Sequence, residues 1–118
     1  MSESSMTLDN TFRVATEKGL VVKIPEPNQL FLDIDTRSDF EHFQKTIPNL
    51  PGVKGWVRSE SKSGYPKCHV VVTLHKIVSA EERILLQACL GSDRLHELLC
   101  YLAKCQGNPH PSVFFEKR

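Results

Sequence analysis

Two aspartates one residue apart, Asp33 and Asp35, close an apolar run, Gln29-Leu-Phe-Leu-Asp-Ile-Asp35. Side chains on a β-strand alternate between faces. Phe31, Asp33 and Asp35 then share one face, and Leu30, Leu32 and Ile34 the other. Two carboxylates on one face repel each other, and a divalent cation between them relieves the repulsion. A second group follows at Ser61-Lys62-Ser63-Gly64, and then His69. A small-residue turn with a lysine offers N–H groups and a cation to a phosphate. A third acid, Glu116, stands after Val113-Phe-Phe115. The chemistry of such a set is a metal beside a phosphate. The plainer alternatives are aspartates in a solvated turn, and a hairpin turn that uses Gly64 for a positive φ.

These residues need a scaffold. Met1 to about Glu17 is polar and aperiodic and reads as an arm; Gly19–Ile24 reads as a short strand stopped by Pro25 and Pro27. The arm with this strand (1–28) precedes one α+β domain (29–118). After the aspartate strand, Ser38-Asp-Phe-Glu41 has the spacing of a capping box, with Ser38 as N-cap. Its helix places Phe40, Phe43 and Ile47 on one face and stops at Pro48. Val53–Glu60 and Pro66–His75 read as two strands joined by Ser61–Tyr65. In the second, Cys68, Val70, Val72 and Leu74 form the core face. His69 then projects to the face of Asp33 and Asp35, provided the strands share a sheet. Ser79-Ala-Glu-Glu82 is a second capping box, with Gly91 as the helix stop. Ser92 or Asp93 caps a third helix with a Leu95, Leu98, Leu99, Leu102 stripe, and Ser112–Glu116 is a last strand. The order β-α-β-β-α-α-β predicts an open mixed or antiparallel sheet with helices on one face, an RNA-recognition-like (ferredoxin-like) α+β core.

Composition is that of a globular chain: 118 residues, 40% hydrophobic and 25% charged, with net charge +1. No global basic signal points to nucleic acid. Charge is nonetheless segregated. Glu26, Asp33, Asp35, Asp39 and Glu41 face only Arg37 between Glu26 and Gln44. Lys54, Arg58, Lys62, Lys67 and Lys76 face only Glu60 between Lys54 and Lys76. Acidic and basic segments side by side suit a metal–phosphate site, or two solvated surfaces of opposite sign. No apolar run spans a bilayer and no signal peptide is evident at Met1, so a cytoplasmic protein is expected. Cys68, Cys89, Cys100 and Cys105 contain no Cys-x-x-Cys pair and are expected as reduced thiols.

Taken together the motifs resemble the catalytic module of the archaeo-eukaryotic primase superfamily. Leu32-Asp33-Ile34-Asp35 is similar to its hydrophobic-Asp-hydrophobic-Asp strand, and Ser61-Lys-Ser-Gly64 leading to His69-Val-Val-Val to its second motif. Glu116 is the match for its third acid, with Asp93 of Leu90-Gly-Ser-Asp93 as the alternative. The chain departs from the pattern in the glutamate at 116 and the longer gap between Gly64 and His69. The resemblance implies magnesium- or manganese-dependent nucleotidyl transfer of the kind used in DNA replication. Asp33, Asp35 and Glu116 would hold the metal. His69, with Arg58, Lys62, Ser63 and Gly64, would bind the triphosphate. Nucleic acid and nucleoside triphosphates would be its partners.

Two other classes stay open. One is a non-catalytic nucleic-acid-binding module, with Phe31, Trp56 and Arg58 on the open face to stack bases and contact phosphates. The other is a small phage- or plasmid-type interaction protein on a degenerate primase-like scaffold, with a protein partner. An aspartate-nucleophile phosphatase wants a small hydroxyl or valine two residues after the second aspartate, where this chain has Arg37. His96, Cys100, Cys105 and His110 are zinc-type ligands in no common zinc spacing.

Overall fold

The structure, a computed structural model, describes residues 19–61 and 64–117, with the side chains of Leu20, Phe115, Glu116 and Lys117 outside that description. The expected arm over Met1–Glu17 lies outside the described residues, as do Lys62 and Ser63.

The fold is α+β. Strand β1 (Leu20–Lys23) precedes the aspartate strand β2 (Gln29–Ile34). Helix α1 (Arg37–Thr46) runs into a 3-10 turn (Ile47–Asn49) and leads to β3 (Val53–Glu60) and β4 (Cys68–Leu74). Helices α2 (Ala80–Cys89) and α3 (Arg94–Cys105) and strand β5 (Phe114–Lys117) complete the chain. No helix among the described residues is long and apolar enough to cross a membrane.

Strands β2, β4 and β3 form an antiparallel sheet in that order, with Leu32 opposite Val70 and Val70 opposite Arg58. Alternation puts Leu30, Leu32, Ile34, Cys68, Val70, Val72 and Leu74 on one face, all buried. Phe43 and Ile47 from α1 and its turn, with Leu90 after α2, close this core. Each large apolar side chain buried here contributes roughly 1.5–3 kcal/mol. Helix α1 starts two residues earlier than the sequence suggests. Thr36, not Ser38, is the N-cap: its extended backbone directs Oγ1 to accept from Asp39 N at 3.0 Å. The Ser79 box forms as expected, with Ser79 N donating to Glu82 Oε1 and Glu82 N to Ser79 Oγ. Gly91, at φ +104°, reverses the chain between α2 and α3; a Cβ there would lie 2.7 Å from Asp39 O.

β5 does not join the main sheet. It pairs with β1 in a separate two-stranded ribbon, from Leu20 opposite Lys117 to Lys23 opposite Phe114. The free edge of β2 is met instead by polar groups of α2 and the α2–α3 turn. Arg83 Nε donates to Gln29 O at 2.8 Å, and Phe31 N donates to Gln87 Oε1 at 2.7 Å. Asp33 N donates to Ser92 Oγ at 2.9 Å, and Asp93 N to Asp33 O at 2.7 Å. Side chains thus satisfy an edge that would otherwise seek another strand.

The second sheet face is not fully open. Phe114 stacks against Phe31, centroids 4.4 Å apart, and against His69 at 3.8 Å. Both are buried.

Candidate functional site

Asp33 and His69 are direct partners across β2 and β4. This register brings the two strand motifs together. The Asp33 carboxylate lies between two imidazoles: Oδ1 is 3.8 Å from His69 Nε2, and Oδ2 is 3.8 Å from His96 Nδ1. His69 comes from the neighbouring strand and His96 from the first turn of α3. Asp93, the N-cap of α3, accepts from His96 N through Oδ2 at 3.0 Å. Its own N–H bonds Asp33 O, so the cap fastens the helix start to the aspartate strand.

Asp35 completes an acidic cluster. Burial lifts its carboxyl above the usual value, and the charges of Asp33 and Asp93 lift it further; Lys67 and His96 act in the opposite sense. Behind the cluster lies Glu97, buried on α3. Its Oε1 accepts from Gln87 Nε2 at 2.8 Å and its Oε2 from Ser92 Oγ at 2.7 Å. Burial raises the Glu97 carboxyl, against the two hydrogen bonds, which lower it. Cys100 contacts His96 Nε2 at 3.6 Å, and burial foremost pushes its thiol up to about 12.

The remaining expected site residues divide. Gly64 sits in the β3–β4 turn at φ +79°, its carbonyl accepting from Lys67 N at 2.9 Å. Arg58 does not reach the aspartate face. It shares the register of Val70 and Leu32, and its guanidinium lies 4.4 Å from the Phe40 ring centre, on the α1 side. Trp56 is on that side too, edge-on to Phe43 at 4.9 Å. A two-residue repeat places both on the face opposite His69. Glu116 pairs through its backbone with Val21 of β1 rather than with a strand of the main sheet, and its side chain lies outside the described residues. Asp93 is the acid that α3 brings beside Asp33. Lys62 and Ser63 fall outside the described residues.

Among the described residues, no group of three His, Cys, Asp or Glu side chains is arranged to hold a metal ion. The zinc-type set does not come together: Cys100 is buried, while Cys105 and His110 are exposed. All four cysteines are free. Asp33 and Asp35 offer carboxylate oxygens, the donor type that hard cations take, and burial first and the neighbouring acids second raise Asp35.

Sequence reasoning passed over Gln87, Ser92, His96 and Glu97 as parts of this site. Glu97 and His96 carried a readable signal, being polar residues inside an apolar helical repeat. Gln87 carried none, because a glutamine in a helix ordinarily faces solvent. Comparison of the chain with protein-family models, curated proteins and solved structures gives no match in any of the three.

Proposed function

We propose that the chain is a minimal primase-polymerase-like domain that transfers nucleotidyl groups on nucleic acid with magnesium or manganese. The pairing of Asp33 with His69 in one register carries this reading. The strand order β2-β4-β3, with α1 between β2 and β3, supports it as three strands of an RNA-recognition-like core.

In this reading Asp33 and Asp35 hold the metal, while Asp93, occupied as the α3 cap, stands beside Asp33 in place of Glu116 without ligating. Bound there, the metal would neutralise phosphate charge and favour in-line displacement. His69 and His96 flank Asp33 and orient its carboxylate. Because Phe114 covers His69, its role is positioning rather than contact with the triphosphate. Lys67, whose charge reaches Asp35, is the cation this reading assigns to a phosphate in place of Arg58.

The test is extension of a primed template with labelled nucleotides and manganese. Extension that falls at least 100-fold in Asp33→Asn and Asp35→Asn supports the proposal. The cover over His69 favours one second reading, a non-catalytic nucleic-acid-binding module. Intact binding with no extension would select it. Neither binding nor extension would leave the interaction protein.

A further inference from the structure

A cavity of about 320 Å³ opens on the α1 side of the sheet. Its walls include Arg37, Phe40, Glu41 and Gln44 of α1, Arg58 of β3 and Tyr65 of the hairpin turn. The size lies at the lower end of small-molecule sites, roughly 300–1,000 Å³. The two arginines outnumber the single acid.

The arginines differ in how they are held. Arg58 holds its guanidinium carbon 4.4 Å from the Phe40 ring centre, so its planar fork already has an aromatic platform. Arg37 pairs with Glu41 at 3.5 Å, one helical turn on, with both side chains well exposed. Such a pair is weak and exchanges readily for a better anion. Tyr65 is 69% exposed, which leaves its ring free of the core. A flat aromatic beside two guanidinium groups recognises a planar ring joined to an anion.

We infer that this cavity takes one nucleotide of a single-stranded nucleic acid, with its phosphate on Arg37 and Arg58 and its base stacked on Tyr65. Gln44, also in the wall, brings an amide of the kind that bonds a base edge. The cavity also adjoins the acidic cluster along the chain. Arg37 follows Asp35 by two residues, and Tyr65 precedes Lys67 by two. In that respect the inference rests on the proposed function and names where its substrate is gripped.

The test is fluorescence anisotropy of a labelled oligothymidylate with the full chain in EDTA, so that no metal contributes. Arg37→Ala and Tyr65→Ala should each weaken binding about 10-fold, and Tyr65→Phe should retain it. Arg37→Ala should also lower the steepness of the salt dependence by about 0.7. Both residues are exposed, and unchanged thermal unfolding of the variants would confirm intact folding. Leu98→Ala, on the exposed face of α3, should bind as well as the parent. Absence of binding by the parent, or equal binding by Arg37→Ala and Tyr65→Ala, overturns the inference. The two proposals fail separately. Extension that ignores Arg37 and Tyr65 would leave the activity and remove this site; binding that needs them without extension would do the reverse.

Discussion

Helices α1 and α3 are both amphipathic, yet they bury opposite kinds of face. α1 and the turn after it put Phe43 and Ile47 into the core and leave Arg37, Glu41, Gln44 and Lys45 to water. α3 buries Glu97 and Cys100 and leaves Leu95, Leu98, Leu99 and Leu102 exposed. The cause lies in what each helix meets. α1 lies on an aliphatic sheet face, where apolar burial is the favourable term. α3 follows the turn that covers the edge of β2, where unpaired backbone groups need polar partners. Gln87 and Ser92 meet Phe31 N and Asp33 N, and Glu97 holds both side chains in place. The network is buried, and none of the described buried side-chain nitrogen or oxygen atoms lacks a partner.

The contrast can be broken at either helix. The largest effect is expected at α1. Phe43→Ala should cost about 3–5 kcal/mol, read as a fall in the urea midpoint, because the side chain is fully buried against Trp56 and the sheet. At α3 the polar residue should matter more than the leucines. Glu97→Ala should cost about 2–3 kcal/mol by the same measurement, since Gln87 and Ser92 would lose their acceptor in a buried setting.

The charge of Glu97 sharpens the comparison through pH. Folding raises its carboxyl above the ordinary value of 4.5, chiefly by burial. A carboxyl raised on folding contributes its full stability below the unfolded value and loses it as pH rises through the folded one. Urea midpoints should therefore decline as pH rises from 4.5 upward. Asp35, also raised, acts in the same direction. Glu97→Gln should flatten part of this decline, leaving the share of Asp35. The smallest effect is expected on the outer face of α3: Leu98→Ala should change stability by no more than about 0.5 kcal/mol. A loss of 2 kcal/mol or more there would mean that the leucines are covered in solution.

The same division separates what was legible in the sequence from what was not. Alternation in β2 and β4 assigned Leu30, Leu32, Ile34, Val70 and Val72 to the core, and put His69 on the side of Asp33. The Ser79 box and the positive-φ turn at Gly91 were also readable. These features depend on neighbours one to four residues away, so the local chain determines them. Tertiary structure alone decided that β5 pairs with β1, that Phe114 covers His69, and that Arg58 lies behind the sheet. It also decided that Asp93 and His96 reach Asp33 and that the leucines of α3 face outward. An amphipathic pattern states that a helix has two unlike faces. Which face is buried depends on the surface it meets, and here that surface is a strand edge more than fifty residues earlier in the chain.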